Sequence, residues 1–353
     1  MTVSLGLPRV LSPMVVGQGA NTKLGPELLT DRFGRVHRDL RISLTDKCNL
    51  RCTYCMPEEG MEWIAKSQQL SVDEMVRIAA VAVAHGITEI RLTGGEPLLY
   101  PQVVEITQRL AALDGAPEVS MTTNGLRLAS LAGPLRDAGL TRLNISLDTV
   151  RADRYFALTR RRRFADVMAG CDAADAAGFT GTKLNSVLMR GVNDDEAVDL
   201  VEFAVARGYE PRFIEQMPLD AGHTWSREAM VPADEIFDAL ARVYELTPVP
   251  HRGAAPAQRW YLNGSQATVG IIASVTRPFC GACDRLRLTS DGQLRNCLFQ
   301  RGESDLRTLV RQGGTDDDIA YALGASVDQK LPGHGINDPG FIQPDRGMSA
   351  IGG

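Results

Sequence analysis

Short apolar runs rich in β-branched residues alternate with longer segments of helical periodicity between about residues 41 and 217. The runs predict six strands, at residues 41–45, 89–93, 119–123, 142–147, 183–188 and 212–217. Strands that alternate with helices of this length pair in parallel through right-handed crossovers. The pattern therefore predicts an α/β fold, either an open doubly wound sheet or a barrel, complete or partial, and periodicity does not choose between them.

Each predicted helix carries a start or a stop signal. The clearest follows Ser71, where Glu74 completes a capping box and Gly86 ends the helix. Further helices are predicted at residues 101–113, 129–138, 164–177, 194–207 and 232–243. The strands and the helices between them form six β-then-α units.

The chain of 353 residues is long enough for about two domains. Residues 1–35 mix glycine, proline and serine without sustained periodicity, and we interpret them as an N-terminal extension. Residues 36–218 hold the six units. Residues 219–353 are interpreted as a smaller C-terminal region, with short strands around the last three cysteines and a Gly-Gly tail.

The composition is that of an ordinary globular protein, with 44% hydrophobic and 23% charged residues. The net charge of −5 argues against a general nucleic-acid or membrane-surface binder, so an anionic ligand must be held by local positive charge. No run approaches the roughly 18 apolar residues of a membrane helix, and residues 1–30 lack the pattern of a signal peptide. We therefore expect a cytoplasmic protein, in which seven cysteines favour metal binding over disulfides.

Three cysteines, Cys48, Cys52 and Cys55, follow the first predicted strand within eight residues. Three thiolates on such a loop can hold three irons of a 4Fe-4S cube, whose fourth iron then lacks a protein ligand. Zinc is the alternative, and it needs a fourth ligand. The candidate fourth ligands are the five histidines, His37, His85, His223, His251 and His334.

A second cysteine triad, Cys280, Cys283 and Cys297, lies near the other end of the chain, with Arg285 and Arg287 beside it. A structural zinc or iron-sulfur knuckle is one interpretation of these cysteines. Guanidinium groups bind phosphates in a bidentate manner, so the two arginines also suit a polyphosphate ligand.

A turn of sequence Gly-Gly-Glu-Pro, residues 94–97, follows the second predicted strand. Adjacent glycines allow a backbone to approach a ligand closely, because no Cβ intervenes. Arg160 to Arg163 form a run of four arginines that could attract a triphosphate, but we interpret it as a solvated surface turn.

These motifs resemble those of the radical S-adenosylmethionine (SAM) enzymes and, more narrowly, those of the molybdenum cofactor biosynthesis protein A family, the GTP 3′,8-cyclases. The similar segments are residues 52–59, 92–98 and 277–287 and the Ile-Gly-Gly tail, and the likeness extends from about Arg41 to Gly353. The N-terminal extension and Gln216 depart from the family pattern. The resemblance implies a partial (β/α)6 barrel similar to a TIM barrel, with a C-terminal iron-sulfur segment.

The resemblance also implies residue roles. Each cysteine triad would hold a 4Fe-4S cluster, and the open iron of the second would bind the guanine of GTP. SAM would contact Tyr54, Gly95, Ser146 and Met217. GTP would contact Arg41, Arg91, Thr122, Lys183, Arg285, Leu286 and Arg287. Catalytic roles would fall to Arg285, Arg287, Gly352 and Gly353, the glycines in a tail that also contains Arg346 and Met348.

The implied activity is a lyase reaction in which SAM is reduced to methionine and a 5′-deoxyadenosyl radical. GTP would be converted to (8S)-3′,8-cyclo-7,8-dihydroguanosine 5′-triphosphate, the first step of molybdenum cofactor biosynthesis. Expected partners are an electron donor such as flavodoxin or ferredoxin and, for hand-over of product, cyclic pyranopterin monophosphate synthase, with the chain a monomer or homodimer and no nucleic acid or membrane bound. Alternatives are a radical SAM enzyme acting on a peptide or RNA, and a non-enzymatic metal or redox-sensing protein.

Overall fold

The structure is a computed structural model that describes residues 28–352. Residues 1–27 of the predicted N-terminal extension and the terminal Gly353 lie outside the described residues. Six parallel strands stand side by side in chain order. They are β1 (Asp39–Ser43), β2 (Glu89–Thr93), β3 (Glu118–Thr123), β4 (Arg142–Ser146), β5 (Lys183–Val187) and β6 (Glu210–Ile214).

Helices connect these strands as the sequence predicts, with one helix that it does not. The connecting helices are α1 (Val72–Ala84), α2 (Val103–Ala111), α3 (Leu128–Asp137), α4 (Ala152–Thr159), α5 (Phe164–Ala176) and α6 (Ala197–Ala206). The capping box of Ser71 and Glu74 forms at the start of α1. Helix α4 is the unpredicted one; its eight residues contain few periodic apolar positions, and its N-cap residue, Arg151, makes no side-chain cap.

The C-terminal region extends the same sheet on both sides. Its elements are α7 (Ala233–Ala241), β7 (Leu246–Pro248), β8 (Gln258–Leu262), β9 (Thr268–Ile272), β10 (Arg285–Leu288), β11 (Gln293–Arg295), β12 (Ser304–Asp305), α8 (Leu306–Arg311), α9 (Asp316–Asp328) and α10 (Met348–Ile351). Strand β9 pairs in parallel with β6, and β10 pairs in parallel with β1. The outermost strands, β12 and β7, do not pair with each other, so the sheet is not closed. This confirms the predicted partial barrel.

The main core lies between the strands and the surrounding helices, and the strand side chains that face the helices there include Leu40, Ile90 and Leu184. A second, smaller cluster joins Leu219, Phe299, Ile336 and Ile351 and so fastens the end of the chain to the region around the second triad. No helix among residues 28–352 combines the length and the apolar character needed to cross a membrane.

Candidate active site

A cavity of about 350 Å³ lies along the inner side of the parallel strands and reaches their carboxyl ends, where α/β folds place their active sites. Side chains from β1 to β6 and from the C-terminal region line it together. All six cysteines of the two triads are among its lining residues: Cys48, Cys52, Cys55, Cys280, Cys283 and Cys297. The fold therefore brings both triads to one chamber, although more than 200 residues separate them in sequence.

The first triad lies on a loop that is fastened from outside by the end of α4. The backbone N–H of Thr53 donates to the carbonyl of Leu158 over 2.9 Å, and that of Arg51 donates to the carbonyl of Thr159 over 3.0 Å. Burial raises the pKa of the Cys48 thiol to about 11 and that of the Cys55 thiol to about 12. Bound irons would supply the positive charge that thiolates need in such a site.

The Gly-Gly-Glu-Pro turn fits against this loop without space for side chains. The N–H of Gly95 donates to the carbonyl of Thr45 over 2.7 Å, and a Cβ on Gly95 would lie 2.4 Å from the carbonyl oxygens of Asp46 and Lys47. Gly94 has φ +147°, and a Cβ there would lie 2.4 Å from the Thr45 oxygen. The two glycines are thus required for the close approach of two loops at the cavity.

Glu96, the acidic residue of that turn, organises the loops rather than facing solvent. Its carboxylate accepts from the N–H of Leu98 over 3.0 Å, the hydroxyl of Thr123 over 2.7 Å and the N–H of Asn124 over 2.7 Å. Burial raises its pKa to about 7. The sequence motif contained this residue, but its acceptor role depends on Thr123, the last residue of β3, and on Asn124, which follows it.

The four residues assigned to SAM by resemblance, Tyr54, Gly95, Ser146 and Met217, all line the cavity. The Tyr54 hydroxyl donates to Asp148 Oδ2 over 2.7 Å, while Asp148 Oδ1 accepts the N–H of Val187 over 2.8 Å. Burial raises the pKa of Asp148 to about 6. Sequence reasoning missed Asp148; its position two residues after Ser146 was the available signal, since alternate residues at a strand end share a side.

Cationic side chains surround the second triad. Arg285 Nη1 donates to Cys283 Sγ over 3.6 Å, and the buried Lys330 donates from Nζ to the carbonyl of Arg285 over 2.8 Å. Burial alone would raise the pKa of Cys283, but the charges of Lys330 and Arg285 outweigh it and hold that pKa below its ordinary value. The guanidinium of Arg35 donates to the carbonyl of Cys280 over 2.7 Å. Neither Lys330 nor Arg35 carried a sequence signal, because both reach the triad only through the fold.

A group of arginines forms the wall between the two triads. Arg41 and Arg287 are register partners on β1 and β10, as are Asp39 and Arg285. Within the described residues, Nε of Arg41 and Nε of Arg285 have no hydrogen-bond partner, and each lies 3.6 Å from Asp39 Oδ2. Burial, and then the charge of Arg91, lower the pKa of Arg41. Buried unpaired donors of this kind suit an anionic ligand such as a polyphosphate.

The other residues assigned to GTP take different positions. Arg41, Arg91, Thr122, Arg285 and Arg287 line the cavity, whereas Lys183 and Leu286 are not among its lining residues. Leu286 alternates with the two arginines of β10 and is fully buried in the core, so that position can offer the cavity only its peptide group.

Lys183 lies at the start of β5, on the same side as the lining residue Asn185. Burial, and then the charge of Arg212, lower its pKa to about 7. Arg212 itself lines the cavity and was missed, although it stands within a predicted strand.

The C-terminal tail returns to the barrel. Arg346 pairs with Asp291 at 2.8 Å and with Glu303 at 2.9 Å, and Met348 and Ser349 line the cavity. Gly352 has φ +81° and its carbonyl accepts from Nη1 of Arg287. The predicted Gly353 lies beyond the described residues, but the preceding glycine is already at the arginine wall.

The side chains around the two triads fit 4Fe-4S clusters better than a zinc site completed by a histidine such as His334. Nδ1 of His334 accepts the N–H of Ile336 over 3.2 Å, which leaves Nε2 to donate to the carbonyl of Ser274 over 3.1 Å. Within residues 28–352 no three histidine, cysteine or acidic side chains are placed to share one metal ion. A 4Fe-4S cube instead attaches each thiolate to a different iron. Two triads of thiols at one chamber fit that group.

Comparison with known families agrees with this site. Residues 42–204 match the Radical SAM superfamily, and residues 209–336 match the family described as Molybdenum Cofactor Synthesis C. The chain is therefore a radical SAM enzyme with a C-terminal region of the molybdenum cofactor type.

Curated relatives narrow the assignment. The GTP 3′,8-cyclase of Streptomyces coelicolor is 55% identical over 332 residues, which cover 93% of this chain and 97% of the relative. The GTP 3′,8-cyclase of Mycobacterium sp. (strain KMS) is 52% identical over 356 residues and covers 100% of both chains. The chain belongs to the GTP 3′,8-cyclase family. This membership confirms the predicted cofactors, two 4Fe-4S clusters and SAM.

Solved structures show the same fold at low sequence identity. SuiB of Streptococcus suis aligns with a TM-score of 0.57 and 14% identity, over 85% of this chain and 68% of SuiB. Native anSMEcpe with bound AdoMet aligns with a TM-score of 0.53 and 14% identity, over 83% of this chain and 84% of that chain. At this level of identity, the two structures show that the chain shares the fold of the radical SAM barrel.

Proposed function

We propose that this enzyme converts GTP to (8S)-3′,8-cyclo-7,8-dihydroguanosine 5′-triphosphate, with SAM consumed to give 5′-deoxyadenosine and methionine. The observation that carries the proposal is the single cavity lined by both cysteine triads and by the arginines between them. One triad can face SAM and the other GTP, so the two reactants can meet without leaving the chamber.

The first half of the cavity would hold SAM. Cys48, Cys52 and Cys55 would bind a 4Fe-4S cluster, and Tyr54, Gly95, Ser146 and Met217 would surround SAM. When bound, the cluster and SAM supply the radical chemistry, in which an electron divides SAM and hydrogen is taken from the 3′ carbon of GTP. Asp148 holds the Tyr54 hydroxyl, and Glu96 holds the glycine turn, so both fix the shape of the SAM side.

The second half would hold GTP. Cys280, Cys283 and Cys297 would bind the cluster that takes the guanine, and the triphosphate would pair with Arg41, Arg91, Arg285 and Arg287. Thr122, Lys183 and the peptide group of Leu286 complete this proposed GTP side. The tail glycines would occupy the space beside Arg287 and limit the access of small molecules with C–H or S–H bonds, because a carbon radical takes hydrogen from such donors.

The remaining assignments follow from this reaction. We propose a flavodoxin or ferredoxin as electron donor, transfer of the product to cyclic pyranopterin monophosphate synthase, and a cytoplasmic location, where GTP and SAM are made. We keep the division into residues 1–35, 36–218 and 219–353 as a proposal for domain organisation.

Anaerobic reconstitution tests the proposal. The reconstituted enzyme should contain two clusters by iron and sulfide counting and should form cyclised nucleotide from GTP but not from ATP. The Cys297→Ala variant should still form 5′-deoxyadenosine but no cyclised nucleotide, whereas the control Cys171→Ala, which changes a buried thiol of α5, should form both. Normal cyclisation by Cys297→Ala would refute the role of the second triad. Modification of a peptide or RNA would favour a radical SAM enzyme with another substrate. The absence of any SAM cleavage would favour a non-enzymatic metal or redox-sensing protein.

A further inference from the structure

A positively charged turn follows α4 and comprises residues 160–163, all arginine; we name it the arginine turn. Arg162 and Arg163 are exposed, and Arg160 and Arg161 are half-buried. Arg163 pairs with Asp166, and Arg160 lies 3.8 Å from the carboxylate of Glu58. Arg161 and Arg162 form no ion pair within the described residues. The turn therefore keeps an excess of positive charge in a chain whose net charge is −5.

The arginine turn is attached directly to the loop of the first triad. Nη1 of Arg160 donates to the carbonyls of Arg51 and Met56, each over 3.2 Å, and these two carbonyls flank the segment that contains Cys52 and Cys55. The preceding residues, Leu158 and Thr159, bond to the same loop and line the cavity. Hydrogen bonds thus join this surface directly to the loop that carries the first triad.

The surface beside the turn also has an apolar centre. Phe156 is 39% exposed, and the guanidinium of Arg162 lies over its ring, 4.2 Å from the ring centroid. Exposed aromatic and arginine side chains are enriched in protein interfaces, and a cationic rim attracts an acidic partner over several ångströms. Glu58 and Asp166 offset only two of the four arginine charges.

We propose that the arginine turn and Phe156 form the docking surface for an acidic one-electron carrier protein that reduces the first cluster. The inference rests on the proposed function, which needs one electron at the first triad for each SAM cleaved. The carrier is oxidised by one electron, and SAM accepts that electron as its carbon–sulfur bond breaks to methionine and the deoxyadenosyl group. A nucleic acid is disfavoured as the occupant, because its many phosphates require an extended basic surface, whereas this chain has a net charge of −5 and the positive charge here is confined to one turn.

The test compares two reductants in one assay, the formation of 5′-deoxyadenosine from SAM by the reconstituted enzyme. Reduced flavodoxin serves as the acidic carrier and dithionite as the small reductant. Arg162→Glu should lower the flavodoxin-driven rate about tenfold at low ionic strength and weaken its dependence on salt, since steering of this kind changes association rates by at least that factor. The dithionite-driven rate should not change. Arg242→Glu is the control, since it makes the same change of charge at the exposed C-cap residue of α7. It should leave both rates unchanged.

Several outcomes would overturn the docking surface. A flavodoxin-driven rate of Arg162→Glu within twofold of the wild type would do so, as would an equal loss with Arg242→Glu. If Arg162→Glu loses the same factor with dithionite, Arg162 has a structural role, and the milder Arg161→Gln variant becomes the test. The proposal then requires that Arg161→Gln lower the flavodoxin-driven rate and leave the dithionite-driven rate unchanged; any other result would overturn it. Because the assay measures SAM cleavage, failure of GTP cyclisation would refute the proposed function without changing this result.

Discussion

The placement of Gly352 predicts that one added methyl group at the tail will remove most of the cyclisation activity. In the Gly352→Ala variant, the new Cβ would lie 2.6 Å from Thr93 Oγ1 and 3.1 Å from Ser43 Cβ. The Thr93 hydroxyl is held by its bond to the carbonyl of Ile42 over 3.3 Å, and Ser43 belongs to β1, so neither neighbour can move away freely. The positive φ of +81° adds a second penalty, because L side chains disfavour it.

The magnitude follows from these two terms. The left-handed backbone alone costs about 1–2 kcal/mol for alanine, and about 1.4 kcal/mol is a tenfold change in an equilibrium. The contact with Thr93 adds to that cost. Because Gly352 follows α10 and belongs to none of the strands, the tail can leave the cavity instead of distorting the barrel. We therefore expect the docked fraction of the tail to fall at least about tenfold, with little loss of global stability.

The assay measures cyclised nucleotide, 5′-deoxyadenosine and iron content for each variant. Gly352→Ala should retain iron and lose most cyclisation. The control Gly340→Ala carries the same kind of backbone penalty (φ +90°) but lies outside the tail and has no atom within 4 Å of its new Cβ, so it should retain cyclisation. In a double-mutant cycle, Thr93→Ala should restore part of the activity of Gly352→Ala, because it removes the contact and leaves the backbone penalty. Wild-type cyclisation by Gly352→Ala would refute the reasoning.

Three other predictions concern charge and hydrogen bonding. Burial and the charge of Arg212 lower the pKa of Lys183 to about 7, so the free enzyme loses this positive charge as the pH rises through that value. The affinity for GTP should therefore fall above about pH 7. Calorimetry should show that the enzyme takes up protons when GTP binds, and the Lys183→Met variant should not show this uptake. Lys330→Met removes a cation beside Cys283, so the midpoint potential of the second cluster should become more negative in an EPR-monitored titration, whereas exposed Lys66→Met should not shift it. The buried carboxylate of Glu215 accepts hydrogen bonds from the N–H groups of Ala233, Val275 and Thr276, and the Glu215→Gln variant loses part of this acceptor capacity. Its free energy of unfolding, measured by urea denaturation, should fall by about 1–3 kcal/mol. Glu228→Gln, at an exposed position, should leave that free energy unchanged.

The sequence predicted the repeated units of the barrel well, because each strand and helix is marked by local periodicity and caps. It placed the first strand at residues 41–45, whereas the strand is Asp39–Ser43. The difference arises because Asp39 is buried among the arginines that stabilise its charge, an arrangement that a local apolar pattern does not contain. Helix α9, with its own capping box at Thr315 and Asp318, was missed for a different reason, since the predictions followed the cysteines in that region.

In the candidate site, the spacing of the cysteines was sufficient to predict that each triad forms a metal site, since the members of each triad lie close together in sequence. The supporting residues were not accessible in the same way. Asp148, Glu215 and Lys330 act on loops distant from them in sequence, and only the fold shows which carbonyl, amide or thiol each one reaches. The Arg160 side chain donates a hydrogen bond to the first cysteine loop, whereas the sequence favoured a solvated turn.

The parallel pairing of β1 with β10 has a consequence for how the protein matures. During synthesis, β1 emerges from the ribosome about 240 residues before its neighbour β10, so an incomplete chain exposes β1 as a free sheet edge. The arginine wall, the second cysteine triad and the tail all arrive with or after that late strand. A truncated product therefore contains half a chamber, and assembly of a working centre is an event that belongs to the finished polypeptide.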